Sequence, residues 1–178
     1  MVSSKNHAMI RKILLVAIIT LINVAAHAQT DQQTIDIQVW KPFTKAIMTQ
    51  DVETFIQLHS KDVIRVERDS KQVFNYDQYK AAMEKSWPGW KRSMARDGLT
   101  YTFELRFLER ISNGEQTFEV GYFKNETVNA KGEKQLSFGQ FHVALRKENG
   151  TWKILVDSDS DNNRSITEAM FLSAKPME

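Results

Sequence analysis

Residues 141–160, FHVALRKENGTWKILVDSDS, decide the fold. Apolar and polar residues alternate on both sides of Asn149-Gly150, which is typical of two strands that each bury one face. Asn-Gly is a strong two-residue hairpin signal because both central residues of that turn need positive φ. The segment therefore predicts an antiparallel hairpin with one apolar face.

The predicted turn also fixes a register between the two strands. It places His142 directly opposite Asp157, on the face away from the apolar stripe. Directly opposed Cβ atoms lie about 4.5–5.5 Å apart, so the imidazole and the carboxylate could form a hydrogen bond. His142 and Asp157 are thus the candidate catalytic pair, a base and the carboxylate that orients it. The alternative is a cross-strand ion pair on a solvated or dimer-facing surface.

Two more alternating segments precede this hairpin, Tyr101 to Phe107 and Phe118 to Tyr122, on either side of Asn113-Gly114. They predict a second two-residue hairpin and, together with the first, a four-strand antiparallel meander. In the register that such a turn implies, Tyr122 faces Leu105 on the apolar side.

The preceding part of the chain has helical periodicity. Trp40, Phe43 and Ile47 form one stripe, and Asp51 is a plausible N-cap for a helix from residue 52 to His59. A small hairpin is expected over residues 63–74, followed by a helical stripe over 76–94 that is kinked or broken at Pro88. Helices first and a meander last predict an α+β domain with the helices lying on the sheet.

The first 28 residues have the pattern of an export signal. Three basic residues precede an apolar run from Ile13 to Val24, and Ala26-His27-Ala28 matches a cleavage site. A spanning helix needs about 20 apolar residues, so this run is too short for a stable anchor. We expect cleavage before Gln29, no membrane anchor afterwards, and an exported location, periplasmic or secreted.

The charge balance of the chain argues against one class of partner. The chain of 178 residues has 24 Lys+Arg, 22 Asp+Glu and no cysteine. Three of the basic residues lie in the predicted leader, so the remainder carries one more acidic than basic residue. This near-neutral balance argues against a nucleic-acid partner. The expected organisation is a leader (1–28), one domain (29–160) and a polar C-terminal tail (161–178).

The order of elements resembles the nuclear transport factor 2-like superfamily, and within it the SnoaL-like domains of bacteria. The resemblance rests on residues 51–69, DVETFIQLHSKDVIRVERD, and on the last hairpin, residues 141–160. It implies a curved antiparallel sheet wrapped around N-terminal helices into a cone, with a pocket at the wide end. Members include ketosteroid isomerase, scytalone dehydratase, polyketide cyclases and non-catalytic domains, and many pair through the sheet.

We therefore expect an exported domain that binds a small apolar or amphipathic molecule in an apolar pocket, without a cofactor and as a homodimer through the sheet. The first alternative is an acid–base isomerase, dehydratase or cyclase, and the second is a structural dimerisation domain. An apolar pocket with a few polar groups is the usual form of a small-ligand site. The candidate ligand-binding residues are Tyr122, His59, Trp40, Trp87, Phe103 and Phe141.

A calcium site is the remaining possibility in the sequence. Asp157, Asp159, Asp161, Ser165 and Glu168 match the spacing of an EF-hand-type loop. Asparagine replaces the turn glycine, and a strand rather than a helix precedes the loop. We therefore expect no metal and interpret the acidic run as a solvated strand end.

Overall fold

The computed structural model describes residues 31–177, so the predicted leader lies outside the described residues. No helix in this part of the chain is both long and apolar enough to cross a membrane. The fold is α+β, as predicted, with N-terminal helices packed on a curved, unclosed sheet of seven strands.

The helices follow the predicted periodicity closely. The helices are α1 Lys41–Thr49, α2 Val52–Gln57, α3 Tyr76–Arg96 and α4 Glu168–Ser173. Residues 31–35 are also helical, and they continue through a π-helical turn, Asp36–Trp40, into α1. Asp51 caps α2, as expected, by accepting a hydrogen bond from the Thr54 N–H at 3.1 Å. Helix α3 starts with a capping box and continues through Pro88.

Four long strands form the predicted meander, and three shorter ones extend it. The bounds are β1 His59–Glu67, β2 Gln72–Phe74, β3 Thr100–Ser112, β4 Gln116–Val128, β5 Lys134–Glu148, β6 Thr151–Ser160 and β7 Lys175–Pro176. The strand order is β2-β1-β6-β5-β4-β3-β7; the β1–β6 pair is parallel, and the other strand pairs of the described residues are antiparallel. His59, predicted to end α2, instead begins β1, because the helix stops at Gln57.

The β5–β6 hairpin confirms the predicted turn but not the predicted register at its far end. Asn149 and Gly150 both have positive φ, and Glu148 pairs with Thr151. A β-bulge then leaves Leu155 without a partner in β5. Every position beyond a bulge moves by one residue, which exchanges the two faces. His142 consequently pairs with Ser158, and the predicted opposition of His142 and Asp157 is wrong.

The β3–β4 hairpin also departs from its predicted register. Asn113 N–H donates to the Gln116 carbonyl, and Gly114 rather than Asn113 has positive φ, so the turn is displaced along the chain from its predicted position. Ser112 therefore pairs with Thr117, and a bulge lies between Phe107 and Glu109. These shifts turn Thr117 and Glu119 inward.

Tyr122 consequently lies on the outer face of the sheet, which corrects the predicted placement on the apolar inner side. Residues 161–177 cover it there. Phe171 of α4 is fully buried and forms a small cluster with Tyr122, Ile166 and Ala174. Strand β7 then pairs with β3, so this segment contributes the last strand of the sheet.

The main core lies between the helices and the inner face of the sheet. Trp40 packs against Phe107 and Phe141, with ring centroids 5.8 Å away in both cases. A glycine makes this packing possible. A Cβ at Gly121 would lie 2.5 Å from the Phe141 ring and would overlap the Arg106 carbonyl. A cavity remains between this core and α3.

Candidate functional site

A cavity of about 280 Å³ opens between helices α1, α2 and α3 and the inner face of the sheet. Most of its wall is apolar or aromatic: Phe43, Ile47, Phe55, Met83, Trp87, Trp90, Tyr101, Phe103 and Phe123. We call this cavity the aromatic pocket. Its helical wall follows from the stripe at spacings of three and four residues along α3, and its sheet wall follows from alternate residues of β3 and β4.

Several of these rings are fixed against each other. Trp90 meets Tyr101 edge to face at 4.9 Å, and Phe103 stacks on Phe123 at 5.8 Å. Gly139 allows the Phe123 ring to lie against the backbone of β5, because a Cβ there would overlap that ring. These contacts give the pocket preformed flat walls.

The floor of the pocket is polar. Arg65 of β1 forms ion pairs with two carboxylates of β6, Asp157 at 3.1 Å and Asp159 at 2.8 Å. The parallel β1–β6 register makes Arg65 and Asp157 direct neighbours. Together with His59 and Tyr79, these residues form what we call the pocket cluster.

Asp157 is the centre of the pocket cluster and is almost completely buried. One carboxylate oxygen binds Arg65, and the other accepts a hydrogen bond from the Tyr79 hydroxyl at 3.0 Å. Burial opposes ionisation, but the charge of Arg65, the neighbouring His59 and the hydrogen bond from Tyr79 hold the pKa of Asp157 below its ordinary value. Burial and the charge of Asp157 raise the pKa of Tyr79, so its hydroxyl remains a donor.

His59 lies behind the pocket wall and is buried. Its Nδ1 is 2.9 Å from the Phe55 carbonyl, and its Nε2 is 3.5 Å from Asp157 Oδ2. The Nδ1 atom therefore has a hydrogen-bond partner, whereas the buried Nε2 atom has none among the described residues. This histidine lies beside Asp157, and it is not one of the residues that line the pocket.

Asp159 presents the accessible carboxylate of the cluster. Its side chain is 34% exposed, and it lines the pocket together with Asp157 and Arg65. Burial and the neighbouring charge of Asp157 raise its pKa, while Arg65 opposes this shift. One of its oxygens binds Arg65 and, among the described residues, the other has no hydrogen-bond donor.

The structure brings together only part of the predicted site. Trp87 and Phe103 line the pocket, and Asp157 lies at its floor. Trp40 and Phe141 pack in the main core, and Tyr122 belongs to the outer cluster. His142 lies half-buried on the outer face beside Phe118, where burial and the charge of Arg68 lower its pKa.

Sequence reasoning missed Arg65, Tyr79 and Asp159. The signal for Arg65 was present, because Val63 and Arg65 are two residues apart in a strand and must share a face. Val63 is buried, and Arg65 follows it inward. The acidic run interpreted as a solvated strand end is in fact partly buried against this arginine. In the described range, no group of three or more His, Asp or Glu side chains is arranged to hold a metal ion.

A second buried ionic group lies at the opposite end of the sheet. Arg110 forms ion pairs with Asp36 at 2.7 Å and with Glu119 at 2.9 Å, and the Trp40 indole N–H donates to Glu119 at 2.6 Å. We call these four residues the core cluster. Burial raises the pKa of Glu119, while Arg110 and Trp40 oppose the shift.

The outer face of the sheet divides into two parts. The C-terminal segment covers Tyr122 and Phe138. The remaining part exposes large apolar side chains, among them Ile111 at 55% and Phe118 at 43%, around a shallow groove that also includes Leu155. Contiguous apolar surface of this kind marks interaction sites.

Comparison with known proteins identifies the fold. No family model matches the chain, and no curated protein sequence matches it. Among solved structures, an NTF2-like protein of unknown function from Shewanella oneidensis has a TM-score of 0.55 at 20% identity, covering 74% of this chain and 98% of that one.

Two further structures agree with this fold. A ketosteroid isomerase-like protein from Erwinia carotovora has a TM-score of 0.52 at 14% identity, covering 71% of this chain and 92% of its own. The association domain of C. elegans CaMKII has a TM-score of 0.52 at 15% identity, covering 74% and 96%. The chain therefore has the nuclear transport factor 2-like fold. The structures that share this fold differ in what they do, so no specific activity follows from it.

Proposed function

We propose that this domain binds a small amphipathic molecule in the aromatic pocket, with the apolar part against the ring walls and a polar group at the pocket cluster. One observation carries the proposal, namely an aromatic cavity whose floor holds a partly accessible carboxylate, Asp159. Apolar walls with a few convergent polar groups are the usual composition of ligand sites. Burying charged groups costs free energy, so imperfect packing alone does not explain why Arg65 and Asp159 lie at the floor of the cavity.

A neutral fluorescent dye, N-phenylnaphthylamine, provides the test. We expect stoichiometric binding to the wild-type protein and loss of binding in Met83→Trp, which fills the pocket from α3. Val120→Trp is the matched control, because β4 places that residue opposite His142 on the outer face. Unchanged dye binding by folded Met83→Trp protein would contradict the proposal.

Acid–base catalysis in the same pocket is the second candidate. It is favoured by the adjacent carboxylates Asp157 and Asp159, whose pKa values are shifted in opposite directions. Such divergence is typical of sites in which one carboxyl group exchanges protons and the other remains ionised. Isomerisation of a small β,γ-unsaturated ketone, abolished by Asp159→Asn, would support catalysis. Binding without turnover would leave the first proposal in place.

We also propose that two copies pair through the exposed apolar part of the outer sheet face. Ile111 and Phe118 are exposed there and line its groove. Light scattering should give twice the monomer mass for the wild type and the monomer mass for Phe118→Asp. Ile37→Asp, at an exposed apolar residue of the N-terminal helix, should remain dimeric. A purely structural dimerisation domain would give the same masses but bind no dye.

Export remains a proposal from the sequence. The charged start, the short apolar run and Ala26-His27-Ala28 support cleavage after Ala28 and a periplasmic or secreted location. The intact mass of protein from the exported fraction should correspond to a chain that begins at Gln29. A full-length mass in that fraction would contradict this.

A further inference from the structure

We infer that the polar end of the ligand is a cation, and that the pocket takes a small organic ammonium compound with a flat apolar body. This inference deepens the proposed function and depends on it. It rests on two features of the pocket, the balance of charge at its floor and the chemistry of its walls.

The ionic group around Arg65 carries more negative than positive charge, and one of its members, Glu67, lies beside the floor without lining the pocket. Three carboxylates lie within 4 Å of Arg65, namely Asp157, Asp159 and Glu67 at 3.8 Å. His59 is the other basic side chain in the pocket cluster. Even a protonated His59 and Arg65 together leave one negative charge in excess, and a neutral His59 leaves two. A cationic ligand would reduce this excess of negative charge, whereas a neutral ligand would leave the excess unchanged.

Asp159 supplies the carboxylate oxygen that remains for a ligand. Asp157 is saturated by Arg65 and Tyr79. Asp159 uses one oxygen for Arg65, while the other has no donor in the described part of the chain. An ammonium N–H donated to that oxygen would form a charge-assisted hydrogen bond, which is stronger than a neutral one.

The walls favour the same class of ligand. Trp87, Trp90, Tyr101 and Phe103 place ring faces or edges around the cavity. A cation over such a ring is attracted by its quadrupole, most strongly over tryptophan and in a desolvated site. An aliphatic wall would hold the apolar body equally well but would offer nothing to the charge.

A carboxylate ligand is the rival, because the buried Nε of Arg65 has no hydrogen-bond acceptor among the described residues. Two observations oppose it. The NH1 atom of Arg65 is already engaged by Asp157 and Asp159. An incoming anion would also meet the excess of negative charge at short range.

The test compares three probes that share one phenylethyl body, namely phenethylamine, 2-phenylethanol and 3-phenylpropanoate, by calorimetric titration of the full chain at neutral pH. We expect phenethylamine to bind about tenfold more tightly than the alcohol, in line with a desolvated cation–π contact and a charge-assisted hydrogen bond. The carboxylate should bind most weakly. Asp159→Asn should remove the preference for the amine and leave the affinity for the alcohol within about threefold, because the apolar contacts are unchanged.

Asp77→Asn, which removes an exposed carboxylate at the start of α3, is the matched control and should keep the full preference. Equal binding of amine and alcohol by the wild type would overturn the inference while the proposed function stands. Tightest binding of the carboxylate would overturn it in favour of Arg65. If no probe and no dye binds, the proposed function fails together with it. Because the wild-type comparison decides by itself, the test does not depend on the folding of Asp159→Asn.

Discussion

The pocket cluster and the core cluster are built on the same plan, with one buried arginine bridging two carboxylates. Arg65 joins Asp157 and Asp159, and Arg110 joins Asp36 and Glu119. The clusters differ in what surrounds them. In the core cluster both carboxylates are fully buried and Trp40 donates to Glu119, whereas in the pocket cluster Asp159 opens onto a cavity.

This difference shows that a buried ion pair alone does not identify a site. The core cluster connects the N-terminal helix to the sheet across more than 70 residues of sequence, which is a structural role. The pocket cluster also connects distant segments, but it retains one accessible carboxylate oxygen. An accessible polar atom next to a preformed apolar cavity is therefore the feature that separates a candidate site from a structural tie.

The largest expected effect is loss of stability when the core cluster is broken. Glu119→Ala leaves the charge of Arg110 undercompensated and the Trp40 indole N–H without its acceptor, so we expect a loss of about 3–5 kcal/mol in the free energy of unfolding, measured in urea. Asp159→Ala should cost clearly less, because that side chain is partly solvated. Equal losses in the two variants would show that the clusters do not differ in burial as described.

The next prediction uses pH to separate the two carboxylates of the pocket cluster. Asp157→Asn should cost about 1.5–3 kcal/mol at neutral pH, the value of a hydrogen bond to a charged group. Because the pKa of Asp157 is lowered in the fold, its contribution is complete above its ordinary pKa and is lost as the pH falls. The cost of Asp157→Asn should therefore shrink in acid.

Asp159 should show the opposite trend. Its pKa is raised in the fold, so protonation favours the folded state as the pH falls through that raised value. The stability of the wild type relative to Asp159→Asn should therefore increase between neutral and mildly acidic pH. Urea unfolding at several pH values measures both trends, and parallel curves for the two variants would contradict the assignment.

The sequence predicted the α+β fold and the turn at Asn149-Gly150 because those signals are local. It did not predict which face of β4 is inside. Phe118 and Tyr122 alternate with polar residues and therefore indicated an apolar inner face, yet Glu119 is the buried residue. Arg110, its neighbour on β3, compensates its charge, and the Trp40 indole N–H, 79 residues away in sequence, donates to it.

The bulge at Leu155 was unpredictable for a related reason. Ile154, Leu155 and Val156 are all apolar, so alternation gives no indication of where one residue is added. That single residue turns Asp157 from a partner of His142 into the centre of the pocket cluster. Predicting the site thus required the position of this bulge, whereas predicting the fold required only the alternation pattern, which one bulge does not change.

Two glycines allow the walls of the core and of the pocket to be compared directly. Gly121→Ala places a methyl group in overlap with the Arg106 carbonyl oxygen and 2.5 Å from the Phe141 ring. Gly139→Ala places one in overlap with the Phe123 ring and 2.7 Å from the Ser160 carbonyl oxygen. Overpacking of this kind costs about 1–3 kcal/mol. We expect the larger stability loss from Gly121→Ala, because its closest clash is with a backbone oxygen, whereas the closest clash in Gly139→Ala is with the end of the Phe123 ring and its backbone contact is longer, at 2.7 Å.

Gly139→Ala should instead affect the pocket, since Phe123 can yield only by shifting towards the cavity that it lines. Dye affinity should fall in Gly139→Ala and remain at the wild-type level in folded Gly121→Ala protein. The reverse pattern would show that Phe123 does not form a wall of the binding site.

The smallest expected effect distinguishes the pocket rim from the outer face of the sheet. The Tyr101 hydroxyl donates to Asn125, whose amide in turn donates to Ser137 at 3.1 Å. Tyr101→Phe removes one hydrogen bond at the rim and should cost about 0.5–1.5 kcal/mol of stability. It frees the Asn125 carbonyl oxygen beside the pocket, so the relative affinities of the three phenylethyl probes should change slightly.

Tyr122→Phe is the matched control, because that residue packs against the C-terminal segment outside the pocket. A change in probe affinity in Tyr122→Phe, with none in Tyr101→Phe, would place the binding site on the outer face of the sheet and contradict the proposed pocket.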